Sequence, residues 1–276
     1  MTGDVYSGVM NATSRPIYIV SDAHLGAGDA SAEQIKSDRL MRFWELVERQ
    51  DGDLVILGDL FDFWFEYKNA IPRFHFEHLM AIRRLVELGR KVWYVAGNHD
   101  FWAGPFLQDE LGVTYCPDEL QISAHGKTIG LAHGDGWRSS ERAYRMMKRV
   151  FRNRVSIALF RLISPDIGFP LARWVSGKSR ERSYLPDHVI DSYRTICRGR
   201  LSEELDVLII GHLHTALHTR FPDGEWLITG DWTHHYTYAV VDHEGVRLMQ
   251  WRDDGNHTPI EPQIETELQL EPQTPR

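Results

Sequence analysis

Ile17-Tyr18-Ile19-Val20-Ser21-Asp22-Ala23-His24 decides how the rest of this sequence is read. Its unbroken run of β-branched and aromatic residues has the composition of a buried strand, and it stops at polar groups able to hold a cation. The pattern recurs four times. Residues 54–57 lead into Gly58-Asp59, residues 92–96 into Gly97-Asn98-His99-Asp100, and residues 128–132 into His133-Gly134-Asp135. Residues 207–210 lead into Gly211-His212-Leu213-His214. Between the first three runs, Leu40, Phe43, Trp44 and Val47 recur at helical spacing, as do Leu79, Ile82, Leu85 and Val86. Strand–helix–strand alternation with continuous apolar strands predicts a largely parallel sheet covered by helices. Later runs at 226–229, 237–241 and 246–251 read as a meander. The expected fold is mixed α/β, either one mixed sheet or a two-sheet sandwich with outer helices.

Composition sets the outer bounds. The 276 residues are 42% hydrophobic, 11% aromatic and 25% charged, the profile of a globular chain of one or two domains. Cys116 and Cys197 are too few for a cysteine-rich zinc site or a disulfide framework, so a reducing, cytoplasmic setting is expected. No apolar run reaches the roughly 18 residues that a membrane span needs, and residues 1–14 show no secretory signal.

The net charge of −8 conceals an asymmetry. Residues 137–200 hold 15 Lys and Arg against five acids, leaving −18 for the rest of the chain. Within this block Met147, Val150, Phe151, Val155, Ala158, Leu159 and Leu162 repeat every three or four residues, which predicts one amphipathic helix ringed by Arg145, Lys148, Arg149, Arg152 and Arg161. A second helix is expected after Pro186, carrying Val189, Ile190, Tyr193, Ile196 and Cys197. Residues 137–200 thus read as a helical cap inserted into a single domain spanning 15–252. Such a block suits an anionic partner, and an apolar stripe of this kind also serves to pack a cap onto its scaffold. Residues 1–14 and the Pro-, Glu-, Gln- and Thr-rich stretch 253–276 are expected to be flexible.

Ligand sites in open α/β sheets form outside the carboxyl ends of the strands, so the groups after the five runs should converge in one crevice. In extended chain, residues i and i+2 point the same way, which would pair Asp22 with His24 and His212 with His214. Glycines 58, 97, 134 and 211 would let the backbone approach a bound ion closely. Asp22, His24, Asp59, Asn98, His133, His212 and His214 make seven oxygen or nitrogen donors. That is too many for one tetrahedral ion and suits two ions sharing a carboxylate. Taken singly, Asp22 fits a cap, Asp59 a strand end and His133 a core histidine; the ordered set of five is what points to metal chemistry. His75 and His78 lie near an expected helix, and His125, His188, His218, His234, His235, His243 and His257 lack such context. Asp62 reads as a loop or cap residue, and Asp135 and Asp231 as residues that orient the site.

The series Asp-x-His, Gly-Asp, Gly-Asn-His-Asp, His-Gly-Asp and Gly-His-x-His resembles the calcineurin-like metallophosphoesterases from about Ile17 to Asp242. The resemblance implies a β-sandwich flanked by helices and a dinuclear centre. One ion would be held by Asp22, His24, Asp59 and His214, and the other by Asp59, Asn98, His133 and His212. A narrower likeness, carried by residues 21–26, by Gly58-Asp59-Leu60-Phe61-Asp62-Phe63-Trp64 and by the basic insertion, is to UDP-2,3-diacylglucosamine pyrophosphatases of lipid A synthesis. It implies release of UMP and 2,3-diacylglucosamine 1-phosphate, usually with manganese, and a cap that holds acyl chains. It also implies that Asn98, Glu141, Tyr144, Lys178 and Arg182 contact substrate. The best-known branch carries Arg where this chain has His99.

The mechanism expected from these parts is in-line attack on phosphorus by a water activated between two cations, most simply Mn2+, with Fe, Co or Zn also compatible with the donors. His99 would stabilise the transition state and Asp100 would bias its imidazole. The substrate would be a nucleotide-linked glycolipid met at the inner membrane face, with no nucleic acid expected. A nuclease or protein phosphatase on the same scaffold is the enzymatic rival. A non-catalytic phosphate- or lipid-binding protein is the rival from another class, and metal content with an Asn98→Ala comparison would separate it.

Overall fold

The computed structural model describes residues 10–11, 14–103, 105–171, 186–201 and 205–265. Two seven-stranded sheets lie face to face. The first comprises, in chain order, β1 (Met10–Asn11), β6 (Glu119–Ala124), β7 (Lys127–Ala132), β8 (Val207–Ile210), β9 (Ala216–Phe221), β10 (Gly224–Thr229) and β14 (Gln263–Ile264). The second comprises β2 (Ile17–Val20), β3 (Asp53–Ile56), β4 (Val92–Val95), β5 (Thr114–Cys116), β11 (Thr237–Asp242), β12 (Gly245–Gln250) and β13 (Thr258–Ile260). Each sheet mixes parallel and antiparallel pairs.

Strand alternation builds the layers. Ile17, Ile19, Val55, Trp93 and Val241 face inward from the second sheet and meet Ile122, Ile129, Leu131, Val207 and Ile209 of the first, forming the core between the sheets. The opposite faces of the same strands point outward. Tyr18, Val20, Leu54, Ile56 and Tyr94 are covered by α1 (Ala30–Arg49) and α2 (Phe76–Glu87) through Leu40, Phe43, Trp44, Val47, Leu79, Ile82 and Leu85. These are the positions whose spacing predicted the helices, and each fully buried one contributes about 2 kcal/mol by area. The Asp29 side chain starts α1 by accepting from the backbone N–H groups of Ser31 and Ala32, both at 2.9 Å.

The helix after Pro186, α7 (Asp187–Leu201), departs from the expected cap. Val189, Tyr193, Cys197 and Leu201 pack on Leu208, Ile210, Trp226 and Ile228, so α7 is the fourth layer of the sandwich. The predicted meander is divided as well, because β10 joins the first sheet while β11 and β12 form a hairpin in the second.

Two further expectations are corrected. The single amphipathic helix is two, α4 (Arg142–Phe151) and α5 (Arg154–Phe160), because Asn153 caps the second by accepting from the Val155 N–H at 2.8 Å. A short α3 (Phe106–Asp109) precedes them, and residues 165–171 form α6. Within the stretch 253–276, expected to be flexible, residues 258–264 instead form β13, which pairs with β12, and β14, which pairs with β9, so that this segment joins both sheets. These short strands sit at sheet edges, where side chains face water and the backbone supplies the bonding. Among the described residues no helix is long and apolar enough to cross a membrane.

Candidate metal centre

Parallel pairing of β2 with β3 and β3 with β4 aligns their carboxyl ends in one sheet, and parallel pairing of β7 with β8 does so in the other. The five donor-bearing segments therefore emerge at one edge of the sandwich. Asp59 lies at the middle of the cluster. Its Oδ2 is 3.3 Å from His133 Nε2, 3.8 Å from His24 Nε2 and 3.9 Å from His99 Nε2. Asp22 Oδ1 is 3.5 Å from His214 Nε2 and 3.8 Å from His24 Nε2. His133 Nε2 also lies 3.2 Å from Asn98 Oδ1, and the His133 and His212 rings are 5.1 Å apart.

The paired donors are not brought together by strand alternation, as the sequence suggested. Asp22, His24, Asp59, His212 and His214 have φ of 53°, 43°, 53°, 66° and 48°, in the left-handed region. Such backbone costs on the order of 1–3 kcal/mol per residue and persists only where its surroundings over-determine it. Here Asp22 N–H donates to the Gly58 carbonyl at 3.1 Å and His24 N–H to the Asp59 carbonyl at 2.9 Å. Across the molecule, His212 N–H donates to Asp22 Oδ2 at 2.9 Å. Two glycines permit these approaches, and what they approach is a donor carboxylate. A Cβ on Gly97 would stand 2.1 Å from Asp59 Oδ1, and one on Gly211 would stand 2.7 Å from Asp22 Oδ2.

The electrostatics fit a cation. Asp22 Oδ1 and His24 Nδ1 are buried without a hydrogen-bond partner, a costly state for a carboxylate unless a positive group faces it. His133 Nδ1 bonds the Leu57 carbonyl at 2.8 Å, which requires a proton on Nδ1 and turns Nε2 towards Asp59. Burial disfavours charge on His133, but Asp59 and Asp22 outweigh it and push its pKa up to about 10. Burial, with His133 beside it, holds His212 down at about 4, and burial likewise keeps His24 neutral. Neutral imidazoles are the forms that bind metal, so His24 and His212 stand ready, whereas His133, which supplies the positive charge facing Asp59 here, would give up its Nε2 proton to an entering ion. Among the described residues, three groups bring their donor atoms close enough to hold an ion: Asp22–His24–His214, His24–Asp59–His99 and Asp22–Asp59–His133.

His99 is oriented by Asp62, which the sequence marked only as a loop or cap residue. Its Nδ1 lies 2.9 Å from the Asp62 carbonyl and 3.9 Å from Asp62 Oδ1. A main-chain oxygen leaves no signature in residue type, so only the fold reveals it. Asp100, expected to bias that ring, instead accepts from Leu60 N–H at 3.0 Å, Gly97 N–H at 2.8 Å and the Tyr94 hydroxyl at 2.5 Å, fixing the loops beneath the cluster. Asp135 accepts from the Tyr144 hydroxyl and Lys148 Nζ, both at 2.7 Å, and so fastens α4 to the scaffold. Burial opposes ionisation of Asp135, yet His133 and Lys148 bring its pKa down to about 2.

A cleft of about 1240 Å³ opens over the cluster, bounded by Asn98, His99 and His214 on its floor and by Arg138 and Glu141 at its cap end. Glu141 accepts from the Arg138 N–H at 3.2 Å. Tyr144 is engaged with Asp135 and is not part of this lining. Lys178 and Arg182 lie outside the described residues.

Similarity to known proteins shows the family. The family model for calcineurin-like phosphoesterases matches residues 15–216. A UDP-2,3-diacylglucosamine hydrolase of Porphyromonas gingivalis is 31% identical over 86% of this chain and 98% of its own. Proteins of that name from Pseudomonas putida and Edwardsiella ictaluri are 27% and 29% identical, each over 84% of this chain and over 97% and 90% of their own. Among solved structures, the phosphoesterase Yfce of E. coli aligns with 89% of this chain and 98% of its own at 18% identity, with a TM-score of 0.43. Matched over most of its length, and carrying its candidate ligands at one sheet edge, the chain belongs to the calcineurin-like phosphoesterase family.

Proposed function

We propose that this protein is a dinuclear-metal hydrolase that splits the pyrophosphate of UDP-2,3-diacylglucosamine into UMP and 2,3-diacylglucosamine 1-phosphate. The observation that carries the reaction type is the shared carboxylate: Asp59 Oδ2 lies within 4 Å of three imidazoles from three segments. Asp22, His24, Asp59 and His214 would hold one ion, and Asp59, Asn98, His133 and His212 the other. Bound there, divalent cations supply neutralisation of phosphoryl charge and activation of water. Mn2+ is the ion we favour, and the mixed oxygen and nitrogen donors also accept Fe, Co or Zn. Held through Nδ1 by the Asp62 carbonyl, His99 directs Nε2 towards the cluster and stabilises charge on a phosphoryl oxygen. Asn98 positions the phosphate, and Glu141 contacts it from the cap end of the cleft. Lys178 and Arg182 would extend that contact.

The substrate class rests on the relatives and on the cap. Met146, Val155, Leu159 and Leu162 are 66%, 66%, 60% and 82% exposed. Packing on the scaffold falls instead to Phe160, whose ring lies 4.6 Å from Phe65 and 5.0 Å from Trp102. The apolar face thus remains open for acyl chains, and the surrounding arginines suit an anionic membrane at the cytoplasmic face. A nucleic-acid groove would instead present basic and stacking groups without such an apolar surface. The test is incubation of manganese-loaded protein with UDP-2,3-diacylglucosamine, where UMP is the expected product. Turnover of other phosphodiesters without UMP release would overturn the substrate assignment.

A further inference from the structure

His234 and His235 carry no ligand pattern in the sequence, yet the fold places them on the wall of the cleft, with His99 and His214 on its floor. Behind them sits Asp231, 1% exposed. Its Oδ1 accepts from Thr233 N–H and Oγ1, both at 2.7 Å, and from His234 N–H at 2.6 Å. Its Oδ2 lies 2.5 Å from His235 Nδ1. The ring so held keeps 46% of its side chain exposed. The same loop is tied to the metal cluster, because Trp232 N–H donates to the Asp22 carbonyl at 3.2 Å. The cationic side chains of the cleft, Lys36 and Arg138, already face Glu33 at 2.7 Å and Glu141 at 4.0 Å.

A pyrophosphate brings two phosphoryl groups, and a cluster built around one phosphorus leaves the other to the cleft wall. Asp231 accepts a hydrogen bond from His235 Nδ1–H, so the far edge of the ring, Nε2, is the edge that can meet a ligand oxygen. Standing between a carboxylate and a phosphoryl oxygen, the ring can bridge two anions, one hydrogen-bonded at each nitrogen. We infer that His235, oriented by Asp231, grips the phosphoryl group that is not attacked. The inference rests on the pyrophosphatase reading and names a binding residue for it.

The test compares wild type, H235A and H235Q, each manganese-loaded, using two competitive inhibitors of bis(p-nitrophenyl) phosphate turnover. Methylenediphosphonate presents two phosphorus centres and methylphosphonate one. H235A is expected to raise the inhibition constant of the diphosphonate about tenfold and that of methylphosphonate less than threefold. The KM for UDP-2,3-diacylglucosamine should rise about tenfold with kcat within threefold, and H235Q, which retains an N–H donor, should recover most of the loss. Equal shifts for both phosphonates, no shift for either, or failure of Gln to recover binding would each overturn the assignment. Should wild type release no UMP from the glycolipid, the substrate reading has failed, and the phosphonate comparison still decides the role of His235.

Discussion

At the scale of single residues, the roles divide by which atom does the holding. His99 is positioned by a backbone carbonyl, so replacing the ring and replacing the Asp62 side chain should differ. His99→Ala is expected to lower kcat about 100-fold with KM within threefold, and Asp62→Ala to lower it less than tenfold, as read from steady-state kinetics. A second histidine illustrates structure without catalysis. His78 Nδ1 accepts from Trp44 Nε1–H at 3.1 Å, while Nε2 lies 2.9 Å from Ser37 Oγ, an arrangement suited to the neutral ring. Burial, aided by nearby Lys36, brings its pKa down from 6.5 to about 4. The unfolded chain therefore binds a proton that the folded one refuses. The stability that His78 contributes is whole above pH 6.5 and is lost as pH falls through about 4, on the order of 2 kcal/mol by pH 4.5. His78→Gln keeps an acceptor for Trp44 without titrating, so denaturant melts between pH 7 and 4.5 should show a shallower decline for this variant.

At the scale of elements, the cap is a separate tethered unit. Asp135 holds Tyr144 and Lys148 of α4, Trp102 Nε1–H donates to the Phe151 carbonyl at 2.7 Å, and Arg152 pairs with Asp118 at 2.7 Å. No residue of α4 or α5 is buried, so these polar ties and the Phe160 contacts carry the docking. A double variant, Tyr144→Phe with Lys148→Ala, should raise amide exchange in α4 about tenfold or more, since each lost tie contributes about 1 kcal/mol. Exchange in β2, β3 and β8 should be unchanged, and equal acceleration there would show that the cap is no separate unit. Periodicity made the apolar stripe legible. It did not show the break at Asn153, which depends on a side chain turning back to its own backbone, nor which stripe members face solvent.

At the scale of the whole molecule, the last strands close the sandwich. β13 extends the second sheet and β14 the first, while Arg39 pairs with Asp253 and Arg194 with Glu265. Truncation after residue 252 should lower the melting temperature by several degrees, because it exposes an edge of each sheet; an unchanged melt would mean that these strands contribute nothing. The donor set itself was readable in one dimension, since strand ends, donor types and glycines are local properties with fixed chemistry. Asp22, Asp59, His133 and the Gly-His-x-His pair announce themselves wherever the chain goes. Their meeting was not readable. Asp22 contacts His212 from 190 positions away, and two separate parallel pairings, one in each sheet, put both at one edge. Left-handed backbone at five donors, the Asp62 carbonyl behind His99 and the Asp231–His235 pair on the cleft wall likewise follow from packing. Residue type settles what a group can bind, whereas its neighbours, which only the folded chain supplies, settle where it points and what charge it keeps.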